Sequence, residues 1–314
     1  MRPLNLVIIA FTMYAMRWGV LLSVAQGFDV GAQLQLPEWK FGLATTVMVL
    51  LAAAGNIIND WFDEPVDRIN KPNRVIIGEL IPRNVAFSTY HALNLLAVGI
   101  GIFLAYHTGS ILVGALPVLM AIALWFYSST FKGSIWIGNF IVALLVGIVP
   151  LWTGLFEIPL LFDVLLNRAS AAIAFAQTSW WWLFAFAMFA FWLTLIREAQ
   201  KDLEDVKGDQ FGGFKTLPVS LGIRKTKVYL CVLYGVLLIG LGLAMWLLNT
   251  LLVPGMATII KTLIILILIT PSVYGCWLTI RGTKNTDFRK ASTISKWVMV
   301  AGILLGTFMP MWYA

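Results

Sequence analysis

Only 15 of the 314 residues are Asp or Glu, and nine of these fall into two short clusters. The first cluster is Asp60, Asp63, Glu64 and Asp67; the second is Glu198, Asp202, Glu204, Asp205 and Asp209. Asp60, Asp63, Asp67 and Asp202, Asp205, Asp209 share the spacing i, i+3, i+7, which on an α-helix brings three carboxylates within about 60° of one another. Three carboxylates on one face repel each other unless a cation lies between them. Mg²⁺ suits such a face, because it takes oxygen ligands, keeps several waters and bridges one or two carboxylates to phosphate oxygens. Two facing triads at the mouth of a helix bundle suit a diphosphate held through Mg²⁺. Cations are interleaved with the acids: Asn59 is followed by Lys71 and Arg74, while Arg197, Lys201, Lys207 and Lys215 surround the second cluster. They would neutralise a polyanion that the carboxylates alone would repel.

The rest of the chain explains what must position these groups. It is 60% apolar and 12% charged, with a mean hydropathy of +0.87. Charged residues make up about a quarter of an ordinary soluble domain, so a disordered chain, a disulfide scaffold and a soluble dinucleotide-binding enzyme are excluded. Two cysteines and two histidines offer no disulfide framework, thiolate centre or catalytic triad. Nine apolar segments are long enough to cross a bilayer: about 4–26, 41–59, 84–106, 110–127, 137–156, 179–197, 228–248, 254–280 and 291–313. The fold class expected is an all-α polytopic membrane protein forming a single domain over 1–314. Residues 157–178 read as a loop with a short interfacial helix. The first segment reads as a retained helix, because Arg17 sits in its middle and no small-residue cleavage site follows. Alternating strands of an outer-membrane barrel are missing from the sequence.

Orientation follows from the basic residues. The N-terminus and the loops after the second, fourth, sixth and eighth segments hold 18 of the 22 Lys and Arg; the other side holds Lys40, Arg168 and Lys261. The N-terminus and both acidic clusters are therefore expected on the cytoplasmic side of the cell inner membrane. The net charge of +7 is topological, and nucleic acid is not an expected partner. Trp180, Trp181 and Trp182 look like an outer interfacial anchor at the start of the sixth segment.

The acidic clusters also carry a family resemblance. Asn59-Asp60-Trp61-Phe62-Asp63-Glu64-Pro65-Val66-Asp67 resembles the NDxxDxxxD motif of the UbiA superfamily of intramembrane prenyltransferases, and Arg68 to Arg74, ending at Gly78, extends the match. The second motif stands as Arg197-Glu198-Ala199-Gln200-Lys201-Asp202-Leu203-Glu204-Asp205-Val206-Lys207-Gly208-Asp209, followed by Lys215-Thr216-Leu217-Pro218 and Gly222. Arg2-Pro3-Leu4-Asn5 and the stretch with Tyr127-Ser128, Lys132 and Gly138-Asn139 are similar to weaker family signals. The second motif resembles most the subfamily of digeranylgeranylglyceryl phosphate synthases.

The resemblance implies about nine transmembrane helices around a central cavity, with Asp-rich cytoplasmic loops capping it. It implies a polyprenyl diphosphate donor bound through Mg²⁺ and transfer of the prenyl group to a lipophilic acceptor, with membrane lipid around the enzyme. The acceptor expected is the free hydroxyl of geranylgeranylglyceryl phosphate; an aromatic or tetrapyrrole acceptor is the alternative, and a cation-coupled transporter the distant one. Asn59, Asp63, Asp67, Asp202, Asp205 and Asp209 are assigned to Mg²⁺, with Asp60 and Glu198 as ligands or their supports. Asp63, Asp67, Asp202 and Asp205 carry the catalytic assignment. Asn59, Lys71, Arg74, Lys132 and Lys201 are candidates for the substrate. Arg17 has three open readings: a carboxylate pair, the phosphate of a phosphorylated acceptor, or snorkelling to one membrane face. The oligomeric state is not readable.

Overall fold

The computed structural model describes residues 3–28, 34–70, 75–164, 168–251 and 254–307, and among them the chain is helical without a β-strand. The helices are α1 (Pro3–Gly27), α2 (Glu38–Asn70), α3 (Arg83–Thr108), α4 (Ile111–Phe131), α5 (Ile137–Val164), α6 (Ala169–Phe211), the short α7 (Leu217–Leu221), α8 (Ile223–Leu251), α9 (Gly255–Arg281) and α10 (Asn285–Thr307). Eight described helices, α1 to α6 with α8 and α9, are long and apolar enough to cross a membrane. The ninth expected segment, 291–313, runs along α10 and ends on residues outside the described ones.

Three expectations are corrected. Residues 157–178 are not a loop: α5 continues to Val164 and α6 begins at Ala169, with 165–167 outside the described residues. The polar residue that interrupts the apolar run, Glu157, is fully buried and paired inside the protein, so it does not end the helix. Trp180 to Trp182 therefore lie well inside α6 rather than at its start. The acidic motifs are not on loops either. Asn59 to Asp67 lie on the last turns of α2, and Glu198 to Asp209 on the last turns of α6. The helices outrun their apolar stretches, and a regular backbone holds each acid stripe in register.

The described chain divides into two compact units, residues 1–132 with 148–185 and residues 133–147 with 186–314. In the first, Ala54, Ile57 and Ile58 of α2 pack with Ala86 and Tyr90 of α3 and with Ile77. Trp61, Phe62, Phe87 and Trp125 close over them, their rings meeting mostly edge to face. This cluster covers the back of the first acidic motif. Deeper in the same unit the buried Trp152 indole donates to the Ala44 carbonyl at 3.1 Å.

In the second unit, α10 lies close to α6 because Gly302 and Gly306 present no side chain. A Cβ on Gly302 would meet the Phe189 ring at 2.2 Å, and one on Gly306 the Phe186 ring at 2.6 Å. Small residues four apart permit such close helix approach in membranes. Gly302→Ala should therefore destabilise by about 1–3 kcal/mol through overpacking, seen as a lowered thermal midpoint in detergent. Gly240→Ala, where an added Cβ meets nothing within 4 Å, should leave the midpoint unchanged or raise it.

Candidate metal and diphosphate site

Asn59 and Asp63 stand one turn apart on α2, so their side chains meet. The Asn59 Nδ2 donates to Asp63 Oδ2 at 2.7 Å, and both side chains are buried. The Lys132 ammonium joins them, donating to Asn59 Oδ1 at 3.1 Å and to the same Asp63 oxygen. The chain reaches Lys132 through a π-helical turn, Tyr127–Phe131, closed by the Lys132 N–H on the Tyr127 carbonyl at 2.8 Å. Such turns are frequent at functional sites because they re-aim the side chains that follow.

The second Asp63 oxygen tests whether a metal ion fits. Asp63 Oδ1 is buried and has no hydrogen-bond partner among the described residues. An ionised oxygen withdrawn from water without a partner is costly, and a bound cation removes that cost. The first motif therefore fits Mg²⁺. Among the described residues no three His, Cys, Asp or Glu groups converge tightly enough to hold an ion unaided. Mg²⁺ does not need that, since it keeps waters and shares its shell with substrate phosphates.

The flank of the first motif is tied down by arginines. Glu64 receives Arg68 at 3.1 Å and also Arg83, whose guanidinium lies 4.1 Å from the Trp61 ring centroid. Arg68 also reaches Glu79 at 3.1 Å. Glu64 is thereby paired through both of its oxygens, whereas Asp63 is paired through one and its other oxygen has no partner among the described residues. Asp60 and Asp67 share the stripe and are half-buried. The predicted substrate groups Lys71 and Arg74 lie outside the described residues.

On α6, Asp202 accepts from Asn139 Nδ2 at 2.8 Å, and Asp209 accepts from the Thr216 hydroxyl at 3.0 Å. Glu198 is held by Lys201 at 2.6 Å and by Arg197 at 2.8 Å. Lys201, expected at the substrate, thus binds a carboxylate of its own motif. Asp205 is half-buried on the same stripe. Asn139 and Thr216 are supports that the site assignment missed, although both belong to stretches that carry the family resemblance.

Arg17 is open to three readings from the sequence. It is fully buried in the π-helical turn Ala15–Leu21 of α1. Its Nε donates to Glu157 Oε1 at 2.7 Å, its Nη1 lies 2.9 Å from Glu38, and its Nη2 donates to the Leu36 carbonyl. Of its three readings the structure gives the carboxylate pair, and the guanidinium is engaged by protein groups rather than turned to a substrate phosphate.

Comparison with known proteins bears on the whole chain. The UbiA prenyltransferase family matches residues 12–300. Digeranylgeranylglyceryl phosphate synthase of Sulfurisphaera tokodaii is 34% identical over 209 residues, 66% of this chain and 67% of that protein. A solved structure concerned with digeranylgeranylglyceryl phosphate synthase in membranes is similar with a TM-score of 0.57 at 22% identity, covering 99% of each chain. A UbiA homologue from Archaeoglobus fulgidus, solved with DMAPP and Mg²⁺, is similar with a TM-score of 0.52 at 16% identity, covering 95% of this chain and 98% of that one. The solved structures speak for the fold.

Proposed function

We infer the reaction from the family: the chain belongs to the UbiA prenyltransferase family. It is an integral membrane enzyme. The reaction proposed is Mg²⁺-dependent transfer of a polyprenyl group, geranylgeranyl by our reading, from its diphosphate to the free hydroxyl of geranylgeranylglyceryl phosphate. The buried Asp63 oxygen that has no partner among the described residues, beside Lys132, carries the metal and diphosphate part. Similarity to digeranylgeranylglyceryl phosphate synthases supports the acceptor.

The allylic C–O bond of the donor breaks with both electrons leaving on the diphosphate, and the acceptor oxygen bonds to the allylic carbon and gives up its proton, which the released diphosphate can take. Mg²⁺, when bound, supplies positive charge to the departing diphosphate and favours the transition state over the ground state. Asn59, Asp63 and Asp67 would hold an ion on α2, and Asp202, Asp205 and Asp209 on α6. Asp60 stands beside the first set, and Glu198 holds Lys201 beside the second. Lys132 places a fixed positive charge against Asp63, where it also serves the diphosphate. Asn139 and Thr216 each hold one oxygen of Asp202 and Asp209, which would fix the orientation of these carboxylates toward an ion. With 18 of 22 Lys and Arg on one side, both motifs face the cytoplasm.

The test is competition between acceptors. Purified protein in nanodiscs receives radiolabelled geranylgeranyl diphosphate with equal amounts of geranylgeranylglyceryl phosphate and an aromatic acid, with and without Mg²⁺. Label should enter the glycerol lipid only when Mg²⁺ is present. Label on the aromatic acid alone would discard the acceptor and keep the rest.

A further inference from the structure

The acid stripe of α6 has a back, and the back is polar and buried. Gln200 lies on roughly the opposite face of the helix from Asp202, Asp205 and Asp209, and Glu204 is one turn further along. Gln200, Tyr234, Thr279 and Ser295 come from α6, α8, α9 and α10, and each is at most 2% exposed. The Gln200 Nε2 donates to the Tyr234 hydroxyl at 2.9 Å and to the Thr279 hydroxyl at 3.0 Å. The Ser295 hydroxyl donates to Gln200 Oε1 at 3.0 Å, and the Tyr234 and Ser295 oxygens are 3.1 Å apart. Tyr234 accepts from Gln200, so its own proton goes to Ser295, and Ser295 passes its proton to Gln200. The three groups close a ring in which each donates and each accepts. Thr279 in turn donates to the Gly275 carbonyl at 2.8 Å.

The helix α9 makes room for this ring. A Cβ on Gly275 would stand 2.8 Å from the Tyr234 hydroxyl oxygen, so only glycine leaves that oxygen its place. One turn beyond Gln200, Glu204 receives the Arg289 Nε of α10 at 2.8 Å. Leucines at these positions would pack against the same neighbours, and satisfied buried polar groups cost stability relative to such packing. Hydrogen bonds differ from apolar contacts in fixing direction: a primary amide with three partners permits one rotation and one height of its helix.

We propose that Gln200 is a positioning residue: through its ring with Tyr234 and Ser295 it sets the rotation of α6 that aims Asp202, Asp205 and Asp209 at the metal. The proposal rests on the metal-site reading above. It predicts a cost in metal affinity rather than in turnover, because the carboxylates remain present and excess metal can still recruit them. Groups that orient metal ligands typically contribute 10–100-fold in affinity, so Gln200→Leu should raise the Mg²⁺ concentration for half-maximal transfer about tenfold, with kcat at saturating Mg²⁺ and donor little changed. Ser295→Ala, a milder loss from the same ring, should shift it in the same direction. The double variant should shift it by less than the product of the two, since the ring fails as a unit.

A readout without metal separates the two claims. A nitroxide on Asp205→Cys, with Cys231 and Cys276 replaced by alanine, reports the exposure of the acid stripe to a water-soluble nickel relaxant. Adding Gln200→Leu should change that exposure, and adding a substitution of the exposed Val232 on α8 should not. Half-saturation within twofold of wild type in folded Gln200→Leu, together with unchanged label exposure, would overturn the proposal. A wild-type enzyme indifferent to Mg²⁺ would overturn the metal reading instead, and the label would then decide the positioning of α6 on its own.

Discussion

Asp63→Ala should lower prenyl transfer by about a hundredfold to a thousandfold, the range in which a single preorganised electrostatic group or metal contact contributes. The effect is large because one buried oxygen of Asp63 has no hydrogen-bond partner among the described residues, while the other anchors Asn59 and Lys132. Removing the carboxylate deprives an ion of its buried ligand and releases the lysine at once. Asp63→Asn keeps the shape and loses the charge, so it should fall nearly as far. Glu64→Gln is the control one residue along. Its carboxylate is already engaged by Arg68 and Arg83, and its loss should cost stability of order 1 kcal/mol, since both arginines are half-exposed, and little activity. Initial rates over a series of Mg²⁺ concentrations distinguish the two, because only the Asp63 variants should resist rescue by excess metal.

The second large effect concerns folding. Glu157→Ala should destabilise by about 3–5 kcal/mol, the cost of leaving a buried charge without its partner. Arg17 and Glu157 are both fully buried, and Glu157 Oε2 also receives the N–H groups of Gln35, at 3.1 Å, and Leu36, at 3.4 Å. The pair thus fastens the segment that enters α2 onto α5. Arg17→Met with Glu157→Leu should recover part of the loss, because no charge is left buried without its partner, although the Gln35 and Leu36 backbone groups lose theirs. Thermal midpoints in detergent of the single and double variants measure this. A double variant no better than the singles would show that the pair is not what holds the two elements.

The sequence made the membrane helices and both acid stripes legible because each signal is one-dimensional. Length and hydropathy are enough for a span, and the i, i+3, i+7 spacing is enough for a face. It misled where a charge interrupts an apolar run. Glu157 looked like the end of a helix, since its partner is Arg17, 140 residues earlier, and only folding brings the two together. The motifs read as loops for a related reason: α2 and α6 continue as helices after hydropathy falls, held from behind by an aromatic cluster at α2 and by a buried polar ring at α6. Gln200 carried no signal at all. A lone glutamine beside an acidic motif has meaning only once Tyr234, Thr279 and Ser295 are known to surround it. Asn139 and Thr216 were visible as parts of similar stretches, but their targets Asp202 and Asp209 were not.

We propose that the carboxylates of the first motif on α2, and separately those of the second motif on α6, hold Mg²⁺ for a prenyl diphosphate. Equilibrium binding of geranylgeranyl diphosphate to the purified protein, with Mg²⁺ and with chelator, for wild type, Asp63→Ala and Asp205→Ala, tests it most directly. The account predicts tight binding by wild type with Mg²⁺, and weakening of about tenfold or more on chelation or in either variant, as expected when a metal ligand or its ion is lost. Equal affinity in all of these conditions would contradict it.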